Sequence, residues 1–222
     1  MESSLVETER DLLRRCVQRP AARVLEAGCG RRSSRADSLA LPELGVEKVV
    51  GVDLDVEAGR ANPGLDEFMA ADLCSRLPFE DGAFDLVYAS FVVEHMEDPE
   101  AAFREWRRLV RGGAVLVATP NIANPLMRLA TAVPERVRVA LKRLGPGVEA
   151  RDVFPALYRA NTITALRQAV AGAGLALAEV HYVATLHRYA GDHRALKRLL
   201  LAFESLLPAT RRSTLVALLR PL

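Results

Sequence analysis

The chain has 222 residues, of which 50% are hydrophobic and 26% charged, with a net charge of +2. That balance suits a folded globule with one sizeable core and excludes a disordered or low-complexity chain. No apolar run reaches about 18 residues, the acidic start Met1-Glu2-Ser3-Ser4 lacks a secretory pattern, and three cysteines without metal-ligand spacing fit reduced thiols, so no metal and a cytoplasmic location are expected.

Residues 3–19 read as an amphipathic helix stopped by Pro20, and residues 23–27 as a short, continuously apolar strand. The strand runs into Glu26, and then into Gly28-Cys29-Gly30, a tight turn whose glycines let another molecule approach the backbone. Residues 33–41 are expected to be helical up to Pro42. Residues 48–52 form a second buried strand closed by Asp53-Leu54-Asp55, and residues 68–71 a weaker third strand ending at Asp72-Leu73.

A fourth strand spans residues 84–89. Asp98-Pro99-Glu100 then opens a helix with an N-cap, a proline at its first position and an early acid, ended by Gly112-Gly113. Residues 114–119 are a fifth strand. Residues 134–144 read as a short basic amphipathic helix, Asn161-Thr162 caps a helix to about Ala173, and residues 175–186 are a long strand. A helix over 194–207 and a last strand over 213–219 follow, one of the final two strands being expected antiparallel at the sheet edge. Strands alternating with helices at this spacing predict a parallel, right-handed α/β sheet in a single domain, 1–121 facing a cofactor and 122–222 a substrate.

Ligands of such sheets sit beyond the carboxyl ends of the strands, where the strand order reverses. Four strands here end in candidate ligand groups: Glu26 with its glycines, Asp53, Asp72-Leu73 and Ser90-Phe91. A phosphate turn has no use for the carboxylate of Glu26, whereas a ligand bearing a cation or hydrogen-bond donors does. Asp53 stands where a second strand delivers a carboxylate to a ribose diol. Asp72 is placed to accept from an exocyclic amine, with Leu54 and Leu73 sandwiching a flat base. Asp53 or Asp72 taken singly is as well explained as a helix N-cap; four strand-end groups in register are not.

With Gly51-Val52-Asp53-Leu54, Ala71-Asp72-Leu73, Leu77-Pro78-Phe79 and the stretch from Asp85 through Glu94-His95 to Pro99, residues 20–121 resemble the class I S-adenosylmethionine-dependent methyltransferases, in particular the small-molecule, quinone-biosynthesis-like group. The resemblance implies a Rossmann-like doubly wound seven-stranded sheet, mostly parallel with one antiparallel strand near the C-terminus. It implies S-adenosyl-L-methionine as cofactor, with Glu26 toward the methionine amine, Gly28, Cys29 and Gly30 along its backbone side, Asp53 on the ribose, Leu54 on the adenine and Asp72 on its amine. Arg31-Arg32 depart from the family, which commonly has a small residue there. The segment Asp152-Val153-Phe154-Pro155 with Tyr158-Arg159-Ala160-Asn161-Thr162 is similar to one in uncharacterised bacterial members.

Methyl transfer from a sulfonium needs alignment above all, and a base only where the acceptor loses a proton. His95 is the best-placed base, with a structural histidine as the plain alternative, and Tyr158, Arg159, His181 and His187 stand behind it. Residues 1–110 sum to −8 and residues 111–222 to +10. Either solvated faces segregate, or an acidic half serves a cationic ligand and a basic half an anionic partner. The expected acceptor is a hydroxyl of a small metabolite or saccharide, an anionic one being suited to the basic half. The alternatives are a lipid or quinone reached by peripheral membrane contact through 126–144 and 194–207, and a non-catalytic cofactor binder. A nicotinamide enzyme fits poorly because Ser33 stands where its third glycine belongs, and no aromatic-rich basic strip points to nucleic acid.

Overall fold

Seven strands, β1 (Ala22–Ala27), β2 (Val46–Asp53), β3 (Glu67–Ala70), β4 (Leu86–Ser90), β5 (Ala114–Pro120), β6 (Leu175–Val183) and β7 (Thr214–Pro221), make one sheet in the order β3-β2-β1-β4-β5-β7-β6. The computed structural model describes residues 4–17, 21–31, 39, 41–110, 112–133 and 155–222. The expected helix over 134–144 and most of the one over 33–41 lie outside the described residues; within the latter's end, Leu41–Leu44 is a 3-10 turn.

The helices are α1 (Leu5–Cys16), α2 (Val56–Arg60), α3 (Pro99–Leu109), α4 (Pro125–Ala132), α5 (Ile163–Gly172) and α6 (Arg194–Leu206). Their starts obey local chemistry. Ser4 and Glu7 form a reciprocal capping box on α1, and Asp55, Asp98, Asn124 and Thr162 cap α2, α3, α4 and α5 with side-chain oxygens.

Successive strand residues point to opposite faces, and both faces are covered, which is why the central strands are continuously apolar. On one face Leu25, Val87 and Val117 pack under Phe103 and Trp106 of α3 and Leu166 of α5. On the other, Val24, Leu86 and Leu116 pack under Leu5, Leu12 and Leu13 of α1.

The antiparallel strand is not at the edge. β7 runs antiparallel to both neighbours and lies between β5 and β6, while β6 forms the edge and is parallel to the first five strands. The burial patterns explain the order. Residues 214–219 are buried without interruption, as an inner strand requires, whereas most of β6 is only half-buried. The strand predicted to reach Leu186 stops at Val183, and Leu186–Ala190 is a 3-10 turn.

β1 pairs with β2 on one side and β4 on the other, so the strand order reverses at the β1/β4 boundary. The carboxyl ends of these strands carry the acids and glycines singled out in the sequence.

Candidate active site

The turn after β1 is built around two glycines with different jobs. Both have positive φ, +70° at Gly28 and +55° at Gly30. A Cβ on Gly28 would stand 2.3 Å from Cγ2 of Val92, so Gly28 admits the loop that follows β4. A Cβ on Gly30 would meet nothing within 4 Å, which leaves that backbone open to a ligand. The Gly28 amide donates to the Val52 carbonyl at 2.8 Å, and the Gly30 amide to Oδ2 of Asp53 at 2.8 Å.

Asp53 ends β2. Its Oδ1 accepts from the Asp55 amide at 2.9 Å, which leaves one further lone pair on each oxygen for outside donors. Leu54, next in the chain, is 64% exposed, an unusual position for a leucine, and lies along the same cleft as Asp72 and the buried Leu73. Asp72 accepts from the Cys74 amide at 2.9 Å and the Ser75 hydroxyl at 3.2 Å, which fixes its carboxylate.

After β4 the chain turns through Phe91, which has a left-handed φ of 56° and donates its amide to the Ala118 carbonyl. The 3-10 turn Val93–His95 follows. His95 meets the carbonyl oxygen of Pro155 through Nδ1 at 2.7 Å. A carbonyl only accepts, so Nδ1 carries a proton, and in the neutral imidazole the lone pair is on Nε2.

Residues 155–161 are tied down over this turn, a role not legible in their sequence. The amides of Leu157 and Tyr158 donate to the Glu94 carbonyl at 2.7 and 3.0 Å. Buried Asn161 donates to Thr119 Oγ1 at 2.7 Å and the Pro120 carbonyl at 3.0 Å, and Thr119 donates to the buried Glu94 carboxylate at 3.1 Å. The chain Asn161–Thr119–Glu94 therefore sets the loop that bears His95.

Together these segments enclose a cleft of about 860 Å³ along the carboxyl ends of β1 to β4. Gly28, Gly30, Asp53, Leu54, Asp72 and Leu73 border one part of it, and Phe91, Val92, His95, Met96, Pro155 and Leu157 another.

Three sequence-derived candidates are placed elsewhere. Ser90 alternates onto the α1 face, where its hydroxyl is 3.5 Å from Glu9 of α1, and it does not border the cleft. Glu26 is buried on that same face, in register with Tyr88, whose hydroxyl also donates to Glu9. The Cys29 thiol turns inward against Gly51. Burial, and then the charges of Asp53 and Glu26, push it up to about 12, so it is inert at neutral pH. Of the remaining histidines, His181 lies on the edge strand beside Glu179, and His187 has its Nδ1 buried without a partner in the turn after β6. The Arg159 guanidinium donates to the Glu97 carbonyl.

An α/β sheet with an open glycine turn, a ribose-type acid and an exposed apolar shelf at its switch point defines a nucleoside-binding domain. Residues 25–118 match the family model described as a methyltransferase domain. The chain is 39% identical over 111 residues to a demethylmenaquinone methyltransferase of Beutenbergia cavernae, which covers 48% of this chain and 44% of that protein. It is 38% identical over 111 residues to a probable S-adenosylmethionine-dependent methyltransferase of Mycobacterium tuberculosis, covering 48% and 38%. The chain spans less than half the length of either relative. Across 93% of this chain and 95% of the other, the fold is similar to that of an S-adenosylmethionine-dependent methyltransferase from Mesorhizobium loti, with a TM-score of 0.57 and 22% identity. Residues 25–118 thus carry the match to a methyltransferase domain, and the relatives similar over about half of the chain include one named for S-adenosylmethionine.

Proposed function

We propose that the chain, acting as a single domain, methylates a hydroxyl on a small molecule with an apolar body, using His95 as general base. The observation that carries this reading is the hydrogen bond between His95 and Pro155, which commits Nδ1 as donor and keeps Nε2 as the proton-accepting nitrogen beside the cleft.

The residues present fit the cofactor. The open backbone at Gly30 gives room for close approach, the spare lone pairs of Asp53 suit the two ribose hydroxyls, and the Leu54 shelf with Leu73 suits a flat base whose amine meets Asp72. Glu26 would act at the methionine end through the turn rather than by direct side-chain exposure. When bound, S-adenosylmethionine supplies a sulfonium methyl with a good leaving group. Holding the acceptor in line then contributes up to roughly 7–11 kcal/mol. Nε2 of His95 would take the proton of the acceptor hydroxyl.

The wall near His95 is made by Phe91, Val92, Met96, Pro155 and Leu157, which favours an apolar body over a saccharide. Among the described residues the cleft is bordered by Asp53, Asp55, Asp72, Glu97 and Asp98 against one cation, Arg31, which favours a neutral acceptor over an anionic one. A lipid or quinone is the specific class these walls suit, in line with the name of the Beutenbergia relative. The test is methyl transfer from labelled S-adenosylmethionine to a panel of hydroquinones, apolar phenols, saccharides and amines. Transfer to a phenolic or hydroquinone oxygen is expected. Tight binding of S-adenosylhomocysteine with no transfer to any acceptor would mark a non-catalytic binder and end the proposal.

A further inference from the structure

The connection from β6 to β7 leaves and re-enters the sheet at its carboxyl edge, because β6 is parallel to β1–β5 and the first residue of β7, Thr214, pairs with both Pro120 and Val183. Everything in that connection, including α6, lies on the side of the sheet that holds the cleft. α6 is poorly buried for a helix so rich in leucine. Leu199 is 65% exposed and Leu206 85%, Leu196 is exposed as well, and Glu204 alone in this helix is fully buried. Glu204 is the anchor, since its two oxygens accept from the Leu186 and Ser213 amides at 2.9 and 2.8 Å. α4 continues the surface. Asn121 and Asn124 bond to the backbone of residues 210–212, just past the end of α6, and Leu126 and Leu129 of α4 are exposed.

The exposed charges on these helices have one sign. Arg128, Arg194, Lys197 and Arg198 have no carboxylate partner among the described residues, and Glu204 is the one acid in the two helices. Exposed leucines interleaved with unpaired cations are what an interfacial helix presents to an anionic bilayer. A surface for a second copy of the chain would need acids to meet those cations. The placement gives the face a purpose. The turn that leads into α6 leaves β6 at the same carboxyl edge as the cleft and carries Tyr189, which is 68% exposed. No helix among the described residues is long and apolar enough to cross a membrane, so the contact is peripheral.

We infer that α6 and α4 form a docking face for an anionic membrane surface, which sets the cleft against the bilayer so that a lipid-dissolved acceptor reaches His95. The second half of that statement rests on the methyltransferase reading above.

The experiment is co-sedimentation of the full chain with vesicles of phosphatidylcholine alone and with about 30% phosphatidylglycerol, at low and high salt. The variants are Leu199→Ser/Leu206→Ser and Arg194→Glu/Arg198→Glu, with circular dichroism to confirm folding. Thermal stabilisation by S-adenosylhomocysteine is measured on every sample. Binding to the anionic vesicles at low salt is expected, falling at least tenfold in high salt and in each variant, with stabilisation by S-adenosylhomocysteine unchanged. Failure of the unmodified chain to sediment, equal binding to both vesicle types, or a dimer in solution that the leucine variant dissolves would each overturn the docking face. In the unmodified chain, no vesicle binding with retained ligand stabilisation rejects the face and spares the methyltransferase reading; vesicle binding without ligand stabilisation rejects that reading and spares the face.

Discussion

The Gly30 amide donates to Oδ2 of Asp53 at 2.8 Å, so the glycine turn after β1 and the acid that ends β2 form one mechanical unit. A carboxylate assigned to a ribose is also the group that sets the shape of the turn facing it. Replacing it therefore removes two things together. Asp53→Ala is expected to weaken S-adenosylhomocysteine binding about 100-fold, since charge-assisted hydrogen bonds contribute about 1.5–3 kcal/mol each and 1.4 kcal/mol is tenfold. Asp53→Asn, which can still accept from the Gly30 amide through one oxygen, should lose less. Calorimetric titration of both variants checks this, and equal losses would separate the turn from the ribose site.

The two glycines should fail differently. At Gly28 an added methyl meets Val92 at 2.3 Å in a backbone already at φ +70°, so Gly28→Ala is expected to lower stability by about 1–3 kcal/mol. Val92→Ala in the same chain should restore part of it. At Gly30 there is no clash, and Gly30→Ala should cost about 1 kcal/mol from its φ while narrowing the ligand's approach. Urea melts with and without S-adenosylhomocysteine distinguish the two, because only the second should lose more in affinity than in stability.

Glu105 on α3 holds the loop that delivers Asp72 and Leu73 to the cleft. It accepts from the Leu77 amide at 2.8 Å and from Arg108, which also donates to the Phe79 and Leu77 carbonyls and to Asp81. Burial pushes the Glu105 carboxyl up, but the hydrogen bonds from Arg108 and Leu77 and the charges of Arg108 and Arg76 prevail and hold it below its ordinary 4.5. A depressed folded value means stability that is fully present above the unfolded value and lost as pH falls through the folded one. Glu105→Gln should cost about 1–3 kcal/mol near neutrality, and the deficit should shrink as pH falls below the ordinary carboxyl value of 4.5. Denaturation midpoints across that range test it; a deficit independent of pH would assign the effect to packing.

The strands and their acids were legible because a doubly covered parallel sheet writes itself as apolar runs, and a carboxylate at the end of each run has few other uses. Side-chain direction was less so. Ser90 and Glu26 stand at strand ends as expected, yet strand alternation turns both under α1, where Glu9 and Tyr88 form a buried polar cluster that helical periodicity does not announce. The place of β7 was hidden for a different reason. Pairing between strands remote in sequence depends on which face each helix covers, and the clue, unbroken burial in β7 against a half-buried β6, is one of degree. Residues 155–161 position His95 through the Pro155 carbonyl, the Leu157 and Tyr158 amides and the Asn161 side chain, and most of these are backbone groups that no side-chain motif encodes.

His95 can be tested apart from its scaffold. Its Nδ1–H supports the 155–161 segment, and its Nε2 is the proposed base. His95→Asn keeps a donor near the Pro155 carbonyl but offers no basic nitrogen, whereas His95→Ala removes both. Both variants should lose about 10²–10⁴-fold in kcat on a hydroxyl acceptor while binding S-adenosylhomocysteine as the parent does. Only the alanine variant should also lose stability, by about 1 kcal/mol, through the missing hydrogen bond. An asparagine variant within about twofold of the parent would leave His95 as a tether for the loop and move the base elsewhere.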